Sequence, residues 1–228
     1  MTLRKSAIVC AVLALALLAG AAVVCTQPAK PDKDGWISLF NGKDLSGWHI
    51  RKPDAENSWS VVDGVLTNAG HGVDLVTDDK FTDHEVHVEF KIPAGSNSGL
   101  YLQGRYEIQI FDSYGQPPKN NGCGGIYKQV APKVNASKPA GEWQSFAVKF
   151  TAPRLDADGN VTQKARMTVI HNGKLIIDDA EVNGPTGGQL DNKEGTPGPL
   201  MLQGNHGAIE CRNIRWRPLM WAGRPEGT

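Results

Sequence analysis

The chain is poor in cysteine, in net charge and in helical periodicity, and each shortage narrows what it can be. Four cysteines occur in 228 residues. No CxxC and no His/Cys spacing suggests zinc. Lysine plus arginine and aspartate plus glutamate number 24 each. Removing everything before Lys30 takes away Arg4 and Lys5 and no acid, leaving 22 against 24, a net charge of −2. No basic stripe breaks that balance, so nucleic acid is not an expected partner. No internal repeat is visible, and no long stretch carries a 3.6-residue apolar period.

What is present begins with an address. Arg4 and Lys5 precede an almost wholly apolar stretch from Ile8 to Val24. That is a signal-peptide pattern, so residues 1–25 are expected to direct export to the periplasm or cell surface. The stretch also borders on the length of a membrane span, which leaves an uncleaved N-terminal anchor open. Cleavage after Ala21 or Ala22 and a lipid on Cys25 are further alternatives, although Val24 is a poor residue before a lipidated cysteine. A Pro/Lys/Asp linker covers residues 26–35, one domain is expected over 36–219, and residues 220–228 form a tail. Cys123 and Cys211 remain in the domain, and in an exported protein they can pair.

The domain reads as short alternating runs separated by Gly, Asn, Asp and Pro. Trp59–Val62, Asp63-Gly64 and Val65–Thr67 form one hairpin signal, and Ala165–His171, Asn172-Gly173 and Lys174–Ile177 another. Strands are also expected over 74–77 (an edge), 84–92, 98–103, 144–150, 200–203 and 209–217. Val86, Val88 and Phe90 should face a core, as should Phe146, Val148 and Phe150. About a dozen strands with little helix predict an antiparallel sandwich or barrel. Residues 116–125 and 185–198 read as long loops, where function often resides. Trp36, Trp48, Trp59 and Trp143 are expected to anchor core or loops. His87, between Glu85 and Glu89, is expected on a solvated strand face rather than in a metal site.

The most informative stretch is Gly104 to Asp112. Tyr106, Ile108 and Ile110 should face the core, leaving Arg105, Glu107 and Gln109 in one polar row. Tyr101 and Gln103 on the preceding strand, and Gln203 on a later one, should join that row. Such a face can grip vicinal hydroxyls, with Tyr101 or Tyr127 stacking on a pyranose ring and Asn97 at the approach. A solvated face with incidental ion pairs is the plainer alternative.

Six motifs recur in order: Leu39-Phe40-Asn41-Gly42-Lys43-Asp44-Leu45-Ser46-Gly47-Trp48, Trp59-Ser60-Val61-Val62-Asp63-Gly64-Val65-Leu66, Asn97-Ser98-Gly99-Leu100-Tyr101, Tyr106-Glu107-Ile108-Gln109-Ile110, Leu202-Gln203-Gly204-Asn205-His206-Gly207 and Arg212-Asn213-Ile214. Together they resemble the 3-keto-disaccharide hydrolase family over about residues 36 to 219. The resemblance implies a concanavalin A-like jelly-roll sandwich of two antiparallel sheets. It also implies action on glycosides already oxidised to a ketone at C3. Cys211 departs from the family pattern, standing where a Phe is common.

Glucanases of this general fold carry two glutamates flanking an aspartate on one strand. Here Glu107 and Asp112 have a similar spacing, but Gln109 replaces the middle acid and Asp112 is one methylene short. A retaining hydrolase needs its carboxyls about 5–5.5 Å apart, so ordinary double displacement is not expected. Elimination from a 3-keto sugar asks for one base, one acid and one clamp for the enolate oxygen. Glu107 is cast as base, Asp112 or His206 as acid, and Arg105 or Arg212 as clamp, with Gln109 and Gln203 positioning hydroxyls. That chemistry needs no cofactor, although a divalent cation stays open. The competing functions are a glycan-binding module without catalysis and a conventional glucanase.

Overall fold

The computed structural model describes residues 30–219. The export segment, Cys10, Cys25 and the tail from 220 lie outside the described residues, as do the first residues of the linker.

Fifteen strands follow one another, and no helix occurs among the described residues. They are β1 (Ile37–Ser38), β2 (Trp48–Ile50), β3 (Trp59–Val62), β4 (Val65–Asn68), β5 (Leu75–Thr77), β6 (His84–Lys91), β7 (Asn97–Leu102) and β8 (Tyr106–Phe111). After a long connection come β9 (Gln144–Thr151), β10 (Arg154–Leu155), β11 (Val161–Gln163), β12 (Ala165–His171), β13 (Lys174–Val182), β14 (Met201–Leu202) and β15 (Ile209–Pro218). One main sheet has eight strands in the order β13-β12-β9-β6-β15-β4-β3, with β1 also on β15; the other runs β2-β5-β14-β7-β8, and β10 and β11 pair only with each other as a small ribbon. Every pairing is antiparallel, so the fold is an all-β jelly-roll sandwich of two antiparallel sheets.

Period-two patterning builds the core. Val86, Val88 and Phe90 of β6, Phe146, Val148 and Phe150 of β9, and Tyr106, Ile108 and Ile110 of β8 all point into it. Each such side chain contributes about 1.5–3 kcal/mol of transfer free energy when fully buried. The two short hairpins turn as their residues require. Asp63 and Gly64 have φ of 50° and 78°, and Asn172 and Gly173 have 50° and 77°. Turns with both central residues at positive φ match the right-handed twist of the strands they join.

One expectation needs correction, and one open alternative is decided. The strand at 75–77 is not an edge: β5 lies between β2 and β14. Its outer neighbour is a three-residue strand, too short to show alternation. Nor do Cys123 and Cys211 pair; both are free and buried. Burial pushes the Cys123 thiol up to about 11 and the Cys211 thiol up as well, so both act as small apolar side chains. Trp48 and Trp59 are core residues whose indole N–H groups donate to Leu39 O and Val73 O, each at 2.6 Å. Trp36 lies beneath Arg215 and Arg217, and Trp143 beneath Arg212 and Lys91.

Candidate active site

The five-stranded sheet carries a cleft of about 210 Å3 on its outer face. Its floor follows from strand register. Tyr101 of β7 sits opposite Glu107 of β8, and Gly99 sits opposite Gln109. Beyond β8 a short strip continues the sheet. Tyr127 N–H donates to Glu107 O at 3.1 Å, and Gln109 N–H donates to Gly125 O at 2.9 Å. On the other side Gln203, just past β14, donates its N–H to Gly99 O at 2.9 Å. One row across the sheet is therefore Tyr101, Glu107, Tyr127, and the next is Gln203, Gly99, Gln109. Asn97 closes one end, where its Oδ1 accepts from Gln109 Nε2 at 2.9 Å. His206 lies exposed at the rim, with Nδ1 against Asn205 Oδ1.

The loop at 185–198 forms the opposite wall. Thr186 N–H donates to Arg105 O at 2.9 Å, while Thr186 Oγ1 accepts from Glu107 N–H at 2.9 Å. Arg51 holds the same loop from the far side of the sheet. Its guanidinium donates to Gly188 O at 2.9 Å, Gln189 O at 2.7 Å and Asp74 at 3.0 Å. Gly188 passes so close that a β-carbon there would lie 2.6 Å from Tyr101 Oη. The loop thus covers Tyr101 and leaves its hydroxyl at the cleft, donating to Gly187 O at 2.9 Å.

Glu107 sits at the centre of this arrangement and is almost wholly buried. Burial pushes its carboxyl up to about 7, a neighbouring hydrogen bond from Tyr101 opposes the shift, and the charge of Asp74 adds to it. The Tyr101 hydroxyl has one proton and two acceptors in reach, the Gly187 carbonyl and this carboxylate. Burial first, then Glu107, pushes the phenol far above its usual range, so it serves as a hydrogen-bond donor. Among the described residues lining the cleft, Glu107 is the sole carboxylate. A lone carboxyl poised near neutrality can take a proton from carbon or return one.

Six of the residues singled out from sequence meet in the cleft besides Glu107: Asn97, Tyr101, Gln109, Tyr127, Gln203 and His206. Four others do not line it. Asp112 is five residues from Glu107, an odd interval, which turns it off the Glu107 face. Its Oδ2 accepts Gly95 N–H at 2.8 Å. Arg105 has the right parity but is covered by the loop it anchors. Its Nε donates to Asp191 at 2.6 Å and its Nη1 to Thr196 O at 2.9 Å. Gln103 is in the β7–β8 turn at φ 52°, with Nε2 donating to Phe81 O at 2.9 Å. Arg212 belongs to the other sheet, where it pairs with Glu89 at 2.7 Å and stacks on Trp143. Tyr101 cannot stack on a sugar, because its ring packs against Val76 and Met201.

Sequence reading missed Lys128, Gly187 and Gly188 as lining residues. The glycines lay in a loop already singled out; Lys128 carried no signal in a segment without periodicity. Glu85 and Glu89, flanking His87, are spent on Arg217 and Arg212. No group of three or more His, Cys, Asp or Glu side chains able to hold a metal occurs among the described residues.

Fold and cleft together define a jelly-roll sandwich that carries one buried carboxyl in a polar cleft. The chain belongs to the family of 3-keto-alpha-glucoside-1,2-lyase-like domains, which matches residues 35–217. It is similar to a 3-keto-disaccharide hydrolase of Bacteroides thetaiotaomicron, with 26% identity over 171 residues, 58% of this chain and 59% of that protein. The chain thus spans about three-fifths of the length of the curated relative it matches. Two crystal structures of candidate glycosyl hydrolases from Parabacteroides distasonis are also similar. One is 34% identical with a TM-score of 0.72, covering 84% of this chain and 90% of that one. The other is 27% identical with a TM-score of 0.59, covering 81% and 99%.

Proposed function

We propose that this protein cleaves 3-keto-glycosides by elimination across C1 and C2, followed by addition of water. The observation that carries the reading is the solitary, buried Glu107 carboxyl, pushed up to about 7, in a cleft otherwise lined by amides, phenols, glycines, one lysine and one histidine. A ketone at C3 acidifies the hydrogen on C2, and a base of neutral pKa is matched to removing it. The C2–H pair becomes an enolate, which collapses to expel the aglycone from C1. Water then adds at C1, and a proton returns to C2. His206, at the rim, is the group we assign to protonate the departing oxygen. Gln109, Asn97 and Gln203 offer donors and acceptors for ring hydroxyls, and Tyr127 offers an aromatic face. The cleft is smaller than the roughly 300–1,000 Å3 typical of drug-sized sites, which suits one sugar ring. The pattern of residues 4–24 supports export to the periplasm or cell surface.

The test is a matched pair, a glucoside and its 3-keto form, each given to the purified protein with and without chelator. Release of aglycone from the 3-keto form alone is expected. Release from the unoxidised glucoside would instead indicate a conventional glycosidase, and binding of either sugar without release would indicate a lectin. Chelator-sensitive release would assign a cation a part in the reaction.

Asp112 supplies a second check. Double displacement would require it, whereas the hydrogen bond to Gly95 gives it only a local structural part. Asp112→Asn should therefore keep kcat/KM within about threefold, against the losses of about 10²-fold or more expected on removing a catalytic acid.

A further inference from the structure

We propose that Lys128 is a catalytic residue, whose ammonium holds the developing negative charge on the C3 oxygen. The inference rests on the elimination reading and supplies the clamp that reading requires. An enolate must be stabilised where its charge gathers, and a positioned cation does this most effectively. Neither arginine expected in that part can serve. Arg105 is bound to Asp191 and Thr196 beneath the loop, and Arg212 lies on the other sheet. Among the described residues lining the cleft, Lys128 is the sole lysine or arginine.

Three observations bear on it. First, its side chain is exposed, and no carboxylate among the described residues forms an ion pair with it. Most lysines of a sheet surface face water; this one borders a cleft. Second, its backbone is left-handed, with φ 58°. That conformation is disfavoured for a residue with a β-carbon and costs least for glycine. The turn from Ile126 to Val130 maintains it, with Ile126 N–H donating to Val130 O and Val130 N–H to Ile126 O, each at 3.0 Å, and Lys128 N–H donating to Asn120 O at 3.0 Å. Strained backbone of this kind clusters where a side chain is needed in one place. Third, Nζ rests 5.1 Å from the centre of the Tyr127 ring, which draws the ammonium toward the same wall. Tyr127 is hydrogen-bonded through its backbone to Glu107, so the strip that carries the cation is joined to the strand that carries the base.

In the step, the Glu107 carboxylate takes the C2 proton. The C–H electron pair forms the C2=C3 double bond, and the carbonyl electrons move to O3, beside Nζ. Collapse restores C3=O, forms C1=C2 and breaks the bond from C1 to the aglycone oxygen. No external oxidant or reductant is consumed.

A 3-keto-1,5-anhydrohexitol isolates this half of the reaction, because it has an acidic C2–H and no exocyclic leaving group at C1. In deuterium oxide the wild-type protein should exchange the C2 hydrogen, read by proton NMR, with C5–H as the internal reference. Lys128→Met should slow exchange by about 10²-fold or more, while Lys128→Arg stays within about tenfold of wild type. Lys128→Gly separates chemistry from folding. It should raise the thermal midpoint by relieving the positive φ, yet exchange as slowly as the methionine variant. Wild-type exchange with undiminished exchange in Lys128→Met overturns the assignment alone. Absence of exchange in the wild type overturns the elimination reading and the assignment together.

Discussion

Glu107→Gln is expected to lower turnover of a 3-keto-glucoside by about 10³-fold while leaving the fold intact. The substitution keeps shape and a hydrogen-bond acceptor for Tyr101 but removes the group that accepts a proton. Single-turnover aglycone release is the direct measure. A companion effect on stability has a definite sign. The carboxyl titrates ordinarily near 4.5 and is pushed up to about 7 in the folded chain. Between these values the folded protein holds a proton that the unfolded chain has released. Stability attributable to this group is therefore present at low pH and falls as pH rises from 4.5 to 7. The full span corresponds to about 3 kcal/mol, as an upper figure. The glutamine variant lacks that decline, so it should be more stable than wild type at pH 8 in urea unfolding and closely similar at pH 4. The same carboxyl must be ionised to act as base, so wild-type kcat/KM should rise with pH through about 7. A wild-type acid limb near pH 4.5, or near-normal turnover by the variant, would remove Glu107 from the reaction.

Gly99→Ala should cost about 10²-fold in kcat/KM without removing any ionisable group. Gly99 lies inside β7, and its φ is not positive, so backbone freedom does not explain the glycine. The neighbouring carboxyl does. A β-carbon at this position would lie 2.3 Å from Glu107 Oε1 and 3.0 Å from both Cδ and Cγ. Gly99 is thus the seat of the Glu107 side chain, and an alanine must push the carboxyl off it. Overpacking costs about 1–3 kcal/mol, offset by the roughly 0.5–1 kcal/mol that alanine gains over glycine in the unfolded chain. A modest loss in urea midpoint, a large loss in kcat and a displaced acid limb of the pH profile are expected together. Loss of stability with an unmoved pH profile and proportionate activity would make Gly99 a packing residue only.

These two positions show how far local pattern reaches. Alternation over 105–111 places Glu107 and Gln109 on one face and Tyr106, Ile108 and Ile110 on the other, because a strand's side chains reverse at each residue. The same rule turns Asp112 off the Glu107 face; spacing resemblance to a glucanase motif hid it, although the odd interval was visible. Gln103 illustrates a different limit. Counting by twos from Tyr101 requires the strand to continue, but the chain enters a left-handed turn there and the amide swings to Phe81. Arg105 illustrates a third. Its parity is that of Glu107 and both are buried; what separates them is the loop at 185–198, roughly eighty residues downstream, which binds the Arg105 guanidinium and leaves the Glu107 carboxyl lining the cleft.

By itself the sequence determined the all-β class, the two tight hairpins, the sides of the strands that form the core, and the grouping of Glu107 with Gln109 and Tyr101. Each follows from backbone geometry acting over a few residues, and from apolar side chains leaving water at period two. The tertiary structure alone decided which members of the polar face stay open. It brought Lys128, Gly187 and Gly188 to a cleft they do not announce, and it raised the proton affinity of Glu107. Burial, charge proximity and loop coverage depend on chain segments far apart in sequence, so no local period records them.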